Sequence, residues 1–282
     1  MGRTENINVF QDTMNLCKNN DRIRESVHNS AEGQKLILEG DAIAEPDKKR
    51  YKEKARITVS KKRTFEAALG YQGTKTAVHN FASASNPGGG VERGANAQEE
   101  CLCRCSGLFK CLNVSDAWSG FYMAHRAEHN PIHNDDIIYT PDVLVFKSDT
   151  VKPELMEEAD WYNVDVITCA APNLREKPSN AFNTGDGKDA IKITDKDLLA
   201  IHEKRLRRIL DVALSNKVET IVLGAFGCGA FMNNPNVVVQ ASKNVVNEYL
   251  YAFKNIEFAV YCSPKDDTNY RIFDRVLKPY TK

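Results

Sequence analysis

This chain of 282 residues lacks an excess of charge of either sign, because Lys plus Arg and Asp plus Glu both number 38. A balanced chain has no general basic field with which to bind nucleic acid through counterion release. It also lacks an apolar run long enough to cross a bilayer. We therefore expect no direct nucleic-acid binding and no membrane insertion, and an anionic ligand must be bound by local groups.

Signals for export are missing as well. Residues 1–6 (MGRTEN) contain no apolar stretch of the kind that a secretory signal needs, and Asn6 stands where a myristoylation signal has Ser or Thr. The eight cysteines are scattered through helix-like and strand-like segments, which favours reduced thiols over a disulfide scaffold. The sequence predicts an intracellular protein, either cytoplasmic or nuclear.

Two histidine and cysteine patterns resemble metal-ligand spacings but do not fit them. In residues 101–105 (CLCRC) the cysteines are spaced by two, which on a helix turns successive side chains about 200° apart. Residues 125–133 carry three histidines spaced by four, but Pro131 interrupts a helix there. We expect structural or surface roles for these side chains, and no metal site.

The pattern of apolar residues predicts one α/β domain at residues 56–282, preceded by a polar N-terminal helical extension at residues 1–55. The predicted strands are Arg56–Ser60, Thr76–Phe81, Val143–Phe146, Val164–Cys169, Thr220–Leu223 and Phe258–Tyr261. The predicted helices are Gln98–Cys111, Asp195–Ser215, Pro235–Lys254 and Asp267–Leu277. This alternation is typical of a three-layer α/β/α sandwich with a mixed, mostly parallel sheet.

Two glycine-rich segments each follow a predicted strand and precede a predicted helix. The first contains Gly88, Gly89 and Gly90, and the second is residues 224–229 (GAFGCG). Glycine permits the backbone conformations in which several N–H groups face one anion. Since ligands of such folds bind at the carboxyl ends of the strands, the two loops are predicted to hold the two halves of a diphosphate.

Two adjacent carboxylates, Glu99 and Glu100, follow the triple glycine closely. Near a bound sugar, one carboxyl group could donate a proton while the other holds a hydroxyl. Consecutive helix residues are rotated by about 100°, so the pair cannot flank a bond as the carboxylates of an ordinary glycosidase do. One residue must then act as both acid and base. The alternative is an acidic turn that only stabilises a helix N-terminus.

These motifs carry a family resemblance. Three glycines, seven further residues and then Gln98-Glu99-Glu100 resemble the signature of poly(ADP-ribose) glycohydrolases. Residues 79–87 (HNFASASNP), 224–229, 141–146, 164–174 and 261–267 are similar to segments of the microbial-type branch. The resemblance covers most of the chain after residue 55. It implies a macrodomain fold and hydrolysis of the ribose–ribose O-glycosidic bonds of poly(ADP-ribose), in the reversal of ADP-ribosylation.

The resemblance also implies roles for individual residues. Glu100 matches the catalytic acid, and Glu99 matches the residue that holds ribose hydroxyls. The implied ADP-ribose-binding residues are Gly88, Gly89, Gly90, Val91, Gln98, Asn80, Asn86, Gly227, Cys228, Gly229, Ala230 and Phe231. No metal and no organic cofactor are implied. The implied partners are poly(ADP-ribose), ADP-ribose and ADP-ribosylated proteins.

Several points stay open from the sequence. Animal-type members have the tripeptide Phe-Ala-Asn before the glycines, whereas this chain has Phe81-Ala82-Ser83 at the similar position. Since an asparagine is missing there, either Asn80 or Asn86 could contact the ribose. Phe231 is predicted to orient the ribose, with a core phenylalanine as the alternative. Residues 175–192 form a long polar loop that is either a lid or an inert insertion.

Two other functions are compatible with the motifs. One is a macrodomain that binds ADP-ribose without cleaving it. The other is a hydrolase of mono-ADP-ribosylated side chains or of O-acetyl-ADP-ribose. The acidic pair favours a hydrolase over a pure binding module, because binding alone does not require a proton donor.

Overall fold

The computed structural model describes residues 1–181 and 184–281. Across these residues, no helix combines the length and the apolar character needed to cross a membrane. The chain folds around one twisted sheet with helices on both faces, so the predicted three-layer α/β/α architecture is confirmed.

The strands of the sheet are β1 Lys35–Ile37, β2 Arg56–Ser60, β3 Thr76–Ala82, β4 Ile137–Val145, β5 Tyr162–Ala170, β6 Thr220–Leu223 and β7 Asn255–Ala259. The α-helices are α1 Arg3–Asn19, α2 Asp21–Glu32, α3 Thr64–Leu69, α4 Gln98–Cys105, α5 Leu108–Leu112, α6 Ser115–Ala117, α7 Met123–Glu128, α8 Asp195–Ser215, α9 Pro235–Val246 and α10 Thr268–Leu277. Short 3₁₀ turns include Val91–Arg93 and Asn247–Tyr249, and Trp118–Tyr122 forms a π-helical turn.

The strands lie in the order β1-β4-β5-β3-β6-β7-β2. The five strands from β5 to β2 run parallel to one another, whereas β4 and β1 add two antiparallel pairings at one edge. The prediction of a mixed, mostly parallel sheet is therefore confirmed. Because the parallel strands share one direction, the loops that follow them meet at one edge of the sheet.

Two hydrophobic cores cover the two faces of the sheet. On one face α8, α9 and α10 bury side chains such as Ile209, Val238 and Phe273. On the other face α3, α4 and α5 bury Phe65 and Leu102. Strands buried on both sides read as continuous apolar runs, which explains why the central strands were recognisable in the sequence.

The N-terminal segment packs closely on the rest of the chain. Phe10 of α1 lies in the core beside α4 and α5, with its ring centroid 4.9 Å from that of Phe109. The side-chain amide of Asn6 donates to the carbonyl oxygen of Gly94 at 3.1 Å, so α1 contacts the turn between the triple glycine and α4. The segment also contributes β1 to the sheet. The boundary at residue 55 stays a prediction.

The predicted helix Gln98–Cys111 is wrong, because the chain forms two helices there. Ser106 is extended, with φ −150° and ψ 178°, and pairs with Val145 at the end of β4. Gly107 packs tightly on α2, where a Cβ would lie 2.7 Å from a methyl group of Val27. These are tertiary contacts, which helical periodicity alone could not predict.

Other boundaries were predicted more closely. β2, β6 and α8 have the predicted bounds, and Thr194 caps α8 by accepting from the Asp197 amide. α10 begins one residue later than predicted, and α9 ends in the 3₁₀ turn at residues 247–249 rather than continuing to residue 254. β7 begins three residues earlier than predicted, at Asn255, and ends two residues earlier, at Ala259. β4 begins at Ile137 rather than at the predicted Val143, because the strand continues across an irregularity at residues 140–143.

The three spaced histidines do not lie on one helical face. α7 ends at Glu128, and His129 has a positive φ of 50°. His125 and His133 are buried and bond backbone carbonyl groups of Phe121 and Ala171 through Nδ1, both at 2.8 Å. Within the described part of the chain, no group of three His, Cys, Asp or Glu side chains could hold a metal ion.

Candidate functional site

A cavity of about 730 Å³, the main cavity, opens where the loops after β3, β5, β6 and β7 meet. Its wall includes Ser83 after β3, Ala171 after β5 and Tyr261 after β7, together with five residues of the loop after β6, namely Ala225, Gly227, Gly229, Ala230 and Phe231. This is the edge at which a ligand was expected from the sequence. Its volume lies within the range of cavities that bind small molecules.

The predicted site residues divide into two groups by position. Those that line the main cavity are Gly89, Gly90, Gln98, Glu99, Glu100, Gly227, Gly229, Ala230 and Phe231. Those that lie outside its wall are Gly88, Val91, Asn80, Asn86 and Cys228. The two glycine loops and the acidic pair, which are far apart in sequence, thus share one cavity.

The triple-glycine loop holds a carboxyl group as well as lining the cavity. Gly88 and Gly89 have positive φ values of 65° and 59°, which only glycine adopts readily. The amide of Gly89 donates to the carbonyl oxygen of Asn86 at 3.0 Å, and the amide of Gly90 donates to Oε1 of Glu100 at 2.9 Å. In this structure, two of the glycine amides therefore bond protein groups.

Glu100 is fixed at both oxygens. Its Oε1 accepts from Gly90, and its Oε2 accepts from the amide of Ala97 at 2.9 Å. The second bond is the helix-capping contact that the alternative interpretation expected, since Ala97 precedes the first residue of α4. Glu100 nevertheless lines the main cavity. One carboxyl group thus caps the helix and faces the site.

Hydrogen bonds hold the Glu99 carboxyl group against β3 and the residue that follows it. Its Oε1 accepts from the side-chain amide of Asn80 at 3.2 Å, and its Oε2 accepts from the backbone amide of Ser83 at 2.7 Å. Burial raises the pKa of Glu99 to about 8, and the nearby Glu100 carboxyl group adds to this, although the hydrogen bonds oppose it. The raised pKa favours the protonated form of Glu99, which reduces negative charge where an anionic ligand would bind.

Gln98 joins the start of α4 to β3. Its Oε1 accepts from the amide of Phe81 at 2.9 Å, and its Nε2 donates to the carbonyl oxygen of His79 at 2.8 Å. A third bond, also from Nε2, reaches Oγ1 of Thr64 at 3.0 Å. Gln98 thus sets the position of the two glutamates that follow it.

The second glycine loop presents backbone amides that are not used within the protein. In the part of the chain that the structure describes, the amides of Gly227, Gly229, Ala230 and Phe231 have no hydrogen-bond partner. Gly227 has a φ of 76°, and a Cβ there would lie 2.7 Å from that of Ala171. Amides arranged in this way are typical of an anion-binding site.

Phe231 and Arg175 form one side of the main cavity. The Arg175 guanidinium lies 5.1 Å from the centroid of the Phe231 ring and donates through Nε to Oδ1 of Asn173 at 3.0 Å. Burial lowers the pKa of Arg175, while Asp186 and Glu100 act in the opposite direction. Phe231 also packs on the core beneath it, so the structure contains features of both interpretations of this residue.

The two candidate asparagines occupy different places. Asn80 is buried in β3, where it bonds Glu99 and Thr168. Asn86 lies on the other side of the glycine loop, where Oδ1 of its side chain accepts from Arg126. Neither forms part of the main cavity wall. Which of them contacts a ribose stays a prediction.

Three residues that were not predicted from the sequence also line the main cavity. The Arg63 guanidinium lies 4.0 Å from the ring centroid of Tyr261, and Oδ2 of the buried Asp149 accepts from the amide of Phe65 at 3.0 Å. Burial raises the pKa of Asp149 to about 6. Arg63 and Tyr261 follow the carboxyl ends of β2 and β7, so the strand-end rule could have identified them. Nothing in the sequence distinguishes Asp149.

The loop at residues 175–192 lies beside the triple-glycine loop. Asn173 donates to Oδ2 of Asp186 at 2.8 Å, and Gly185 packs against Arg126 and Ser85. Residues 182 and 183, which belong to the predicted lid, lie outside the described residues. Whether this loop acts as a lid stays open.

Comparison with known proteins agrees with this geometry. The sequence matches the family model of the microbial-type PARG catalytic domain over residues 4–148. That match includes both the triple glycine and the acidic pair. No match is found among curated proteins.

Solved structures of bacterial enzymes are similar over nearly the whole chain. Poly(ADP-ribose) glycohydrolase (PARG) from Thermomonospora curvata is 27% identical, with a TM-score of 0.79 over 97% of this chain and 99% of that one. The same enzyme bound to the inhibitor ADP-HPD gives 27% identity and a TM-score of 0.77, over 96% and 98% of the two chains. PARG from Deinococcus radiodurans in complex with ADP-ribose is 30% identical, with a TM-score of 0.75 over 90% of this chain and 97% of that one.

The fold, the glycine loops and the acidic pair thus occur together with a family match over half of the sequence. The predicted resemblance is confirmed: the chain belongs to the microbial-type poly(ADP-ribose) glycohydrolase family and has its catalytic-domain fold.

Proposed function

We propose that Glu100 is the general acid and base of this chain, a glycosidase that hydrolyses the ribose–ribose O-glycosidic bonds of poly(ADP-ribose) and releases ADP-ribose. One observation carries the assignment of Glu100. Its carboxyl group lines the main cavity while backbone amides hold both of its oxygens, at 2.9 Å each. A proton donor held in one orientation is what general acid catalysis requires.

The groups that line the main cavity support the binding of ADP-ribose. The unused amides of Gly227, Gly229, Ala230 and Phe231 suit the diphosphate, and the acidic pair suits the terminal ribose. Tyr261 and Arg63, which also line the main cavity, offer an aromatic ring and a cation to the adenine base. Arg175 lies where its charge can offset that of the diphosphate.

In the proposed reaction Glu100 donates a proton to the departing ribose oxygen, and the bond from that oxygen to the anomeric carbon breaks. The oxocarbenium ion that remains is stabilised by the negative diphosphate of the substrate itself. The Glu100 carboxylate then takes a proton from water, and the hydroxide adds to the anomeric carbon. Glu99 holds ribose hydroxyl groups throughout, and no metal ion takes part in these steps.

The test compares native protein with Glu100→Gln on purified poly(ADP-ribose). We expect release of ADP-ribose to fall by about 10²–10⁴-fold, because the amide cannot donate a comparable proton. Glu157→Gln, a change at an exposed residue outside the cavity wall, is the matched control and should cleave normally. Equal rates for Glu100→Gln and native protein would remove Glu100 from the mechanism.

A binding measurement separates the alternatives. If Glu100→Gln retains affinity for ADP-ribose and loses turnover, Glu100 serves the reaction rather than ligand binding. If the native chain binds ADP-ribose and cleaves no polymer, it is a binding module. If it cleaves only mono-ADP-ribosylated side chains or O-acetyl-ADP-ribose, the product analysis will show no opened ribose–ribose bond. ADP-ribosylated proteins as polymer carriers, and an intracellular location, remain proposals from the sequence.

A further inference from the structure

A second cavity of about 250 Å³ lies beside the triple-glycine loop, and the proposed reaction does not use it. Gly89 and Gly90 line both this second cavity and the main cavity. Between the two cavities, the wall is therefore formed in part by backbone without side chains. Trp118, Arg93 and Arg126 lie on the outer wall of the second cavity.

The second cavity has the groups that bind a nucleotide. The Arg126 guanidinium lies 4.9 Å from the ring centroid of Trp118, and the Trp118 indole N–H donates to Oδ1 of Asn113 at 2.7 Å. The indole is thus held in place in the π-helical turn Trp118–Tyr122. An aromatic face beside arginine is a combination that stacks with bases.

Charge in the second cavity favours an anion. Arg93 is the third residue after the glycines, at the end of the 3₁₀ turn Val91–Arg93, and Arg126 donates through Nε to the carbonyl oxygen of Ser85 at 2.7 Å. Glu92 is the one carboxylate on the wall, so two cations face one anion among the residues that the structure describes there. A phosphate group would be attracted to such a site.

The position of the second cavity matches the direction in which the substrate continues. In poly(ADP-ribose) the oxygen that Glu100 protonates belongs to the adenosine ribose of the next unit, so adenine and a diphosphate follow within a few bonds. Glu100 lies against the glycine loop, where a Cβ on Gly89 would be 2.6 Å from its Oε1. The leaving group therefore departs next to Gly89 and Gly90, whose other side lines the second cavity.

We propose that the second cavity binds the adenosine diphosphate part of the polymer unit that leaves, with the adenine stacked on Trp118 and the diphosphate facing Arg93 and Arg126. The proposal rests on the proposed function. Free ADP-ribose occupies the main cavity alone and leaves the second cavity empty. Polymer then gains binding energy that the monomer does not.

The test measures Trp118→Ala with two substrates, purified poly(ADP-ribose) and an ADP-ribosyl ether with a small nitrophenyl leaving group. We expect kcat/KM for the polymer to fall by about tenfold, because the variant loses the stacking of one base. The value of kcat/KM for the small substrate and the affinity for ADP-ribose should not change. Trp161→Ala is the matched control, because Trp161 is the other tryptophan and also lies against an arginine, Arg22, at 5.2 Å. Trp161→Ala should leave kcat/KM unchanged for both substrates.

Other outcomes distinguish the two proposals. If Trp118→Ala cleaves polymer as the native chain does, or loses both substrates equally, the second cavity is not a leaving-group site, although the proposed function stands. If the native chain cleaves neither substrate, both proposals fail.

A fluorescence measurement keeps the proposal testable if Trp118→Ala does not fold. In a Trp161→Phe, Glu100→Gln double variant, Trp118 is the single indole and turnover is prevented. Polymer should quench its fluorescence, and ADP-ribose at saturation should not. Equal responses to both ligands, or no response to polymer, would contradict the assignment.

Discussion

A Cβ atom on Gly89 would lie 2.6 Å from Oε1 of Glu100, closer than such atoms approach in proteins. The same Cβ would be 3.2 Å from Oε2 of Glu99. The central glycine of the triple glycine and the acidic pair are therefore parts of one packing arrangement. The glycine is needed as much for the space that the carboxyl groups occupy as for its φ of 59°.

Gly89→Ala should lose activity while the protein remains folded. The added methyl group must displace the Glu100 carboxyl group, and a displacement of about 1 Å at a reacting group can cost about 10²-fold in rate. The positive φ adds about 1–2 kcal/mol of strain. Polymer hydrolysis and thermal unfolding of the purified variant measure the two effects separately.

The control for this variant is Gly40→Ala, since a Cβ at Gly40 would meet no atom within 4 Å. It should retain the native rate. Full activity of Gly89→Ala would show that Glu100 can work from a different position, which would contradict the role assigned to its fixed geometry.

Glu99→Gln should become progressively more stable than the native chain as pH rises. Burial raises the pKa of Glu99 from 4.5 to about 8, so the folded state binds this proton more tightly than the unfolded state. The resulting stability is complete below pH 4.5 and is lost as pH rises from 4.5 through 8. The loss is on the order of a few kcal/mol, and the glutamine variant does not undergo it.

Unfolding of both proteins by denaturant at pH 5, 6.5 and 8 tests this prediction. The relevant quantity is the difference in the free energy of unfolding between variant and native chain, because other titrating groups cancel in it. A difference that stays constant across this range would mean that Glu99 is ionised at neutral pH.

Arg175→Met should weaken ADP-ribose binding by about tenfold or more. The guanidinium lies on the main cavity wall and stays charged at neutral pH, and a hydrogen bond to a charged group contributes about 1.5–3 kcal/mol. Methionine keeps the contact with Phe231 and removes the charge. Titration calorimetry at low and high salt should show a flatter salt dependence for the variant. Arg24→Met, at an exposed position, should bind as the native chain does.

Asn233→Ala should disturb the conformation of the second glycine loop. Nδ2 of Asn233 donates to the carbonyl oxygens of Pro172, Phe231 and Gly227 at 2.7, 3.1 and 3.2 Å, while its Oδ1 lies 2.8 Å from Nε2 of His202. Burial lowers the pKa of His202 to about 4, so this ring is neutral and would lose its partner. We expect the free energy of unfolding to fall by about 1–3 kcal/mol.

The same variant should bind ADP-ribose more weakly, because Asn233 holds the loop whose unused amides suit the diphosphate. Asn236→Ala, an exposed change three residues later, is the control for both measurements. Native affinity in Asn233→Ala would mean that the loop keeps its shape without this side chain.

How much could be predicted from sequence differs between elements. The central strands were predicted because both of their faces are buried, so each is a short run of apolar residues. The edge strand β1 and the long β4 were missed or truncated, since one is short and exposed and the other contains Pro141. The break between α4 and α5 was missed because contacts of Ser106 and Gly107 with β4 and α2 override helical periodicity.

The sequence by itself determined the fold class, the two glycine loops and the choice of Glu99 and Glu100, since each depends on residue types at short spacing. Only the tertiary structure decided that the amide of Gly90 holds Glu100, that burial raises the pKa of Glu99, and that Arg175, Asp149 and Tyr261 share the main cavity. These properties depend on distance and on exclusion of water. Both arise when strands far apart in sequence are placed side by side in one sheet.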